Sequence, residues 1–232
     1  MTVRTPLEQR LRRLRRPAWL GTMRRTRPLS DHWGRERGTP VDRWYIERFL
    51  DEHRGDIRGR VLEVMDAGYT ERFGSGVDRA DVLDVDAANP RATIVADLAA
   101  ARDVPANTFD CFVLTQTLQF VYEVEAAVRA AHRLLRPGGV LLATVPCVSR
   151  IDRSAGVEGD FWRFTQASCE RLFGAVFGPE QVEVRAYGNV LAAVAFLMGM
   201  AREELREQEL DGGDAYFPVL IAVRAVKGAG GA

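Results

Sequence analysis

The sequence has a single lysine, Lys227, three histidines and three cysteines, and each shortage excludes something. Cys111, Cys147 and Cys169 are odd in number and lack paired C-x-x-C spacing, so neither a disulfide framework nor a zinc or other metal site is expected. The longest apolar run, Val190 to Ala201, spans twelve residues, too few to cross a bilayer. Twin arginines near the N-terminus are followed by no apolar stretch, so no secretory signal is expected and the chain is read as cytoplasmic. Nor is there an excess of one charge: 32 basic side chains face 32 acidic ones. With 232 residues, 47% apolar and 28% charged, the chain suits one domain with its own core, not a disordered segment or a membrane bundle.

The even balance conceals a split. Residues 1–30 hold nine arginines against one acid, Glu8, a net of +8, and the other 202 residues hold 23 basic against 31 acidic side chains, a net of −8. Leu7, Leu11 and Leu14 share one face of a short basic helix that Pro17 ends, and residues 17–38 read as an extended linker. The arm has three readings: a solvated tail docked on the acidic body, a contact to nucleic acid, or docking to an acidic protein partner.

The body begins at Thr39-Pro40-Val41-Asp42, which combines an N-cap, a proline at the first helical position and an early acid. That helix is expected to end near Arg54. Short apolar runs follow at 60–64, 81–85, 93–96, 109–115, 140–145, 182–186 and 217–226, as in strands buried on both faces. Helical spacing marks 123–136, 165–177 and 190 to about 209. The alternation predicts an α/β fold with a mostly parallel sheet, a domain over 39–227, and a flexible glycine-rich tail at 228–232. The apolar run from Val190 is read as a core helix or, alternatively, the face of a homodimer.

In such sheets ligands bind beyond the carboxyl ends of the strands. The first strand ends at Glu63-Val64 and enters a loop at Met65. The second ends at Asp84, where a carboxylate can accept from both hydroxyls of a ribose, with Asp81 or Asp86 as alternatives if the register slips. The third ends at Asp97-Leu98 and the fourth at Thr115-Gln116.

The segments FDCFVLTQTLQFV (109–121) and HRLLRPGGVLLATVP (132–146) resemble those of class I S-adenosylmethionine-dependent methyltransferases, and GDFWRFT (159–165) and YGNVLAAVAFL (187–197) resemble a bacterial subgroup of such domains. The resemblance spans roughly 39–226 and implies a Rossmann-like fold with seven strands, the last antiparallel. It implies S-adenosylmethionine as cofactor, with Glu63, Val64 and Met65 at the first loop, Asp84 on the ribose, Asp97 and Leu98 by the adenine, and Thr115 and Gln116 where methyl donor and acceptor meet.

One departure stands out. The family's first loop carries glycines at three alternating positions, which here are Met65, Ala67 and Tyr69. Either the loop takes another path, with Tyr45 or Arg43 assisting from the capped helix, or cofactor binding is weakened or lost.

Methyl transfer relies mainly on positioning and needs a base only if the acceptor must lose a proton. His53 and His132 sit near helix C-termini and read as structural. His32 and Asp160 are the candidate bases, and Trp162 and Arg163 the candidate acceptor wall. Pro146-Cys147 resembles the nucleophile of cytosine-C5 methylating enzymes, but the accompanying motif is missing at the fourth strand end. The Asn/Asp-Pro-Pro-aromatic signature of base amino-methylating enzymes is also missing there, which disfavours nucleic acid as acceptor. The expectation is methyl transfer to O or N of a small, specialised or sugar-containing metabolite. The alternative is a noncatalytic methyltransferase-like module serving as binding protein or partner of a biosynthetic enzyme.

Overall fold

A computed structural model describes Leu14, Arg15 and residues 21–228. The basic helix read over 7–16 lies outside the described residues apart from Leu14 and Arg15, which are helical, and so does 229–232 of the tail.

Seven strands form one sheet: β1 (Gly59–Val64), β2 (Val77–Asp84), β3 (Ile94–Val95), β4 (Phe109–Thr115), β5 (Leu135–Pro146), β6 (Val182–Tyr187) and β7 (Leu220–Val226). Their order is β3-β2-β1-β4-β5-β7-β6. Strands β1 to β5 run parallel, and β7 is antiparallel to both β5 and β6. The helices are α1 (Val41–Glu52), α2 (Gly68–Phe73), α3 (Val124–Leu134), α4 (Gly156–Gly159), α5 (Gln166–Phe177), α6 (Val190–Met198) and α7 (Glu207–Asp211). No helix among the described residues is long and apolar enough to cross a membrane.

Strand β4 shows why both sheet faces are covered. Side chains alternate along a strand, so Phe112 and Leu114 enter one core with Leu134 and Phe173, from α3 and α5. Cys111 and Val113 enter the other, with Ile46, Phe49 and Leu50 of α1 and Phe196 of α6. Each such fully buried large side chain contributes about 2 kcal/mol of transfer free energy.

Three local departures from the expected elements have physical causes. The helix expected from Val190 to about Glu209 stops at Met198, because Gly199 takes a left-handed conformation (φ 70°) with Ser30 packed against it. Thr39 does not cap α1; its amide and hydroxyl both donate to the Glu203 carboxylate, at 2.9 and 2.7 Å. The expected extended linker is a series of turns from Ser30 onward laid against the chain after α6. The Leu29 amide donates to the Met198 carbonyl at 2.7 Å, and a Cβ on Gly34 would stand 2.7 Å from the Met200 carbonyl oxygen. Residues 29–40 therefore form a strap held onto the domain.

Candidate active site

The strand order reverses direction between β1 and β4, and a crevice opens at the carboxyl ends of strands at such a switch. Met65 follows β1 and Gln116 follows β4, and both line a cavity of about 470 Å³ whose outer wall is the strap. Trp33 of the strap lines it too. These three residues share a costly feature: Trp33, Met65 and Gln116 have left-handed backbones (φ 56°, 70° and 47°) without being glycine. Only Asn107 joins them among the described non-glycine residues, so three of four strained positions face one cavity.

At the first loop, Glu63 is buried and its carboxylate accepts from the Tyr69 amide (3.0 Å), the Thr70 amide (2.8 Å) and the Thr70 hydroxyl (2.7 Å). It thereby ties β1 to the first turn of α2, a helix standing where the sequence reading placed only a loop. Burial raises its carboxyl pKa despite these donors. Met65 keeps the backbone shape a glycine would take while its side chain stays 65% exposed. Val64 is half-buried behind it, against the core.

Asp84 ends β2 at the same level, whereas Asp81 lies inside the strand, fully buried between the guanidinium groups of Arg60 and Arg79 (both 2.7 Å). Asp86 accepts from the Ala88 amide in the following turn. Of the three carboxylates, Asp84 is thus the one at the carboxyl end of β2. Asn89, which the sequence reading missed, joins the two loops: its side-chain amide donates to the Met65 carbonyl and to Asp84 Oδ2, each at 2.7 Å. Asp97 accepts from the Ala99 amide at 2.9 Å and caps a single turn, Leu98–Ala100, with Leu98 buried.

At the end of β4, Thr115 is half-buried, and the Gln116 side-chain nitrogen is buried without a partner. The neighbouring Gln119 donates to the Gln116 carbonyl at 2.9 Å while its own amide oxygen is unpartnered. Opposite, α1 contributes Asp42 and Arg43 to the wall. Asp42 Oδ1 is buried without a hydrogen bond, and burial raises its carboxyl pKa in spite of the adjacent Arg43. The Arg43 guanidinium donates to the Tyr69 hydroxyl, so α1 is latched to α2.

His32 and Asp160 both line the cavity. His32 is exposed on the strap. Asp160 is buried and makes a bidentate pair with Arg163, at 2.6 and 2.9 Å, and accepts from the Asp152 amide at 2.9 Å. Burial alone would raise its carboxyl pKa, but Arg163 and that amide outweigh burial and hold it below the usual value. Of the expected site residues, Glu63, Val64, Asp84, Asp97, Leu98 and Thr115 stand at the strand ends without lining this cavity, and two others lie away from both. Tyr45 is in the core, where its hydroxyl donates to the Leu210 carbonyl at 3.0 Å. Trp162 stacks on Tyr122 outside the cavity and donates to the Val121 carbonyl at 3.1 Å. Cys147 does not line the cavity, and burial pushes its thiol up, away from the thiolate a nucleophile requires.

Comparison with known proteins agrees with this architecture. Among solved structures, phosphoethanolamine N-methyltransferase 2 of Haemonchus contortus, in complex with S-adenosyl-L-methionine, superposes with a TM-score of 0.55 at 16% identity, over 80% of this chain and 53% of that one. An S-adenosylmethionine-dependent methyltransferase from Mesorhizobium loti gives 0.51 at 16% identity, over 80% and 97%. The [4+2]-cyclase SpnF gives 0.52 at 17% identity, over 79% and 82%. At these identities the likeness is one of fold, and the fold is that of the class I S-adenosylmethionine-dependent methyltransferases. Within it, residues 59–143, from the start of β1 into β5, match the family model described as methyltransferase domain. No curated protein matches the sequence.

Proposed function

We propose that the protein binds S-adenosylmethionine in the crevice over β1, β2 and β4 and transfers its methyl group to O or N of a small acceptor held in the adjoining cavity. The observation carrying this reading is the junction of Met65, Asp84 and Gln116: the crevice at the strand switch and the strap-covered cavity share Met65 and Gln116, and Asn89 couples Met65 to Asp84. The bound group supplies an electrophilic methyl on a sulfonium sulfur.

The residues present fit that group. Asp84 would take the ribose hydroxyls, with Asp97 and Leu98 at the adenine. Asp42, whose buried oxygen lacks a partner, would accept from the ammonium of the methionine end, and Arg43 would face its carboxylate. This pair replaces contacts that a glycine-rich first loop would make through its backbone. Gln116, with an unpartnered side-chain amide, would orient the acceptor beside Thr115. The strap excludes water from the transfer, and His32 on it would receive a proton from an acceptor that must lose one. Asp160 acts through Arg163 by holding its guanidinium in the wall.

A second reading rests on Met65. A bulky side chain on a glycine-like backbone narrows the crevice, and a [4+2]-cyclase has this same fold, which favours a repurposed, non-methylating domain as the alternative. Titration with S-adenosylhomocysteine, followed by mass-spectrometric detection of methyl transfer from S-adenosylmethionine to candidate acceptors, separates the two. Binding with transfer supports the first reading, binding without transfer the second, and no binding refutes the first.

A further inference from the structure

The cavity wall is built with an unusual surplus of guanidinium groups. Five arginines line it, Arg35, Arg43, Arg150, Arg153 and Arg163, against Asp42, Asp152 and Asp160. Three of the five are accounted for: Arg163 is neutralised by Asp160, and Arg43 donates to the Tyr69 hydroxyl at the α1–α2 latch. Arg153 pairs with Asp31 of the strap at 2.9 Å.

Arg150 and Arg35 are different. Arg150 donates only to neutral backbone carbonyls, of Ile151 at 3.1 Å and of Asp31, and its Nε is buried without a partner. Its guanidinium carbon lies over the indole of Trp33, 3.8 Å from the ring centroid. Neither Arg150 nor Arg35 forms a salt bridge with a carboxylate among the described residues. A half-buried guanidinium that makes no direct ion pair is costly even with the Asp31 and Asp152 carboxylates nearby, and its position over an aromatic face leaves donors for a planar or tetrahedral anion. The strap residue under it, Trp33, is also one of the strained left-handed positions, so the fold spends conformational energy to place this platform.

We propose that the cavity recognises its small-molecule ligand through an anionic group, a carboxylate or a phosphate, held by Arg150 on its Trp33 platform with Arg35 assisting. This rests on the methyl-transfer reading only in taking that ligand to be the acceptor; the anion site itself stands on the strap geometry. Arg43 lines the same cavity, but its guanidinium is engaged by the Tyr69 hydroxyl.

The test titrates the full chain, at fixed ionic strength, with benzoate, phenyl phosphate and neutral benzyl alcohol, alone and with S-adenosylhomocysteine present. At least one anion is expected to bind, benzyl alcohol not, and the tighter anion identifies carboxylate or phosphate. Arg150→Gln is expected to weaken the anion by about tenfold, the scale of one lost charge-assisted hydrogen bond, with Arg150→Lys restoring part and S-adenosylhomocysteine affinity unchanged. If Arg150→Gln unfolds the strap, Arg35→Gln serves instead, with a several-fold loss expected. Anions binding no better than benzyl alcohol, or equal affinity in folded variants, overturns the proposal. Loss of S-adenosylhomocysteine binding with anion binding intact removes the methyl-transfer reading and leaves the anion site standing.

Discussion

The side-chain amide of Asn89 donates to Asp84 Oδ2 at 2.7 Å, and its second hydrogen goes to the Met65 carbonyl at the same distance. One residue thus fixes the strand-end carboxylate relative to the loop after β1. Replacing it with alanine frees both acceptors. Asn89→Ala should cost about 1 kcal/mol of stability, the net value of such bonds, and should weaken S-adenosylhomocysteine through loss of order at Asp84. Denaturant unfolding and calorimetric titration check the two effects separately.

Met65 holds a left-handed backbone at φ 70°. A side chain there costs about 1 kcal/mol relative to glycine in the same conformation. Met65→Gly should therefore raise the melting temperature and, by removing bulk from the crevice, tighten S-adenosylhomocysteine binding. Met65→Ala removes the bulk but keeps the backbone penalty, so it should tighten binding without the same gain in stability. A melting temperature unchanged or lowered in Met65→Gly would count against the strain.

Asp42 is a buried carboxylate with an unpartnered oxygen, and its carboxyl pKa is raised by burial. Above that pKa the charge opposes folding, and the opposition fades as pH falls through it. Asp42→Asn should then stabilise the ligand-free protein at neutral pH by about 1 kcal/mol, with the difference shrinking on acidification. The same variant should weaken S-adenosylhomocysteine, because the ammonium loses its acceptor. Thermal melts across pH and a titration at pH 7 together test this opposition of stability and binding.

Asp81 presents the opposite sign. Burial would raise its carboxyl pKa, but Arg60 and Arg79 outweigh burial and depress it. Its contribution to stability is present above the ordinary carboxylate value of about 4 and is lost as pH falls through the depressed value. Asp81→Asn should cost about 2 kcal/mol at pH 7, with the deficit disappearing in strong acid. Urea unfolding at a series of pH values measures it.

Much of this arrangement is legible in the sequence because it follows from local rules. Strand β4 occupies the residues its apolar run marks, and Asp84 falls at the end of β2, where the buried run Asp81–Leu83 stops. The helix break at Gly199 was less visible: an apolar run continues through it, and what stops the helix is Ser30, distant in sequence, packed against that glycine. The strap escaped for the same reason. Its turns are fixed by Met198, Met200 and Glu203, whose proximity is a tertiary fact. Asn89 sits in a polar turn where nothing local separates a loop-bridging amide from a solvated one. Tyr45 was misplaced because helix α1 presents it to the core, next to Leu210 of α7, while its neighbours Asp42 and Arg43 face the cavity.

On the proposed function, the crevice beside Met65 and Asp84 holds an adenosylated methionine. Calorimetric titration of the full chain with S-adenosylhomocysteine, beside Asp84→Ala with its fold verified by circular dichroism, tests it most directly. Saturable one-to-one binding is expected, weakened at least about tenfold by Asp84→Ala, the loss of a charged acceptor for two hydroxyl groups. Absence of binding at millimolar ligand, or equal affinity in the folded variant, would contradict it.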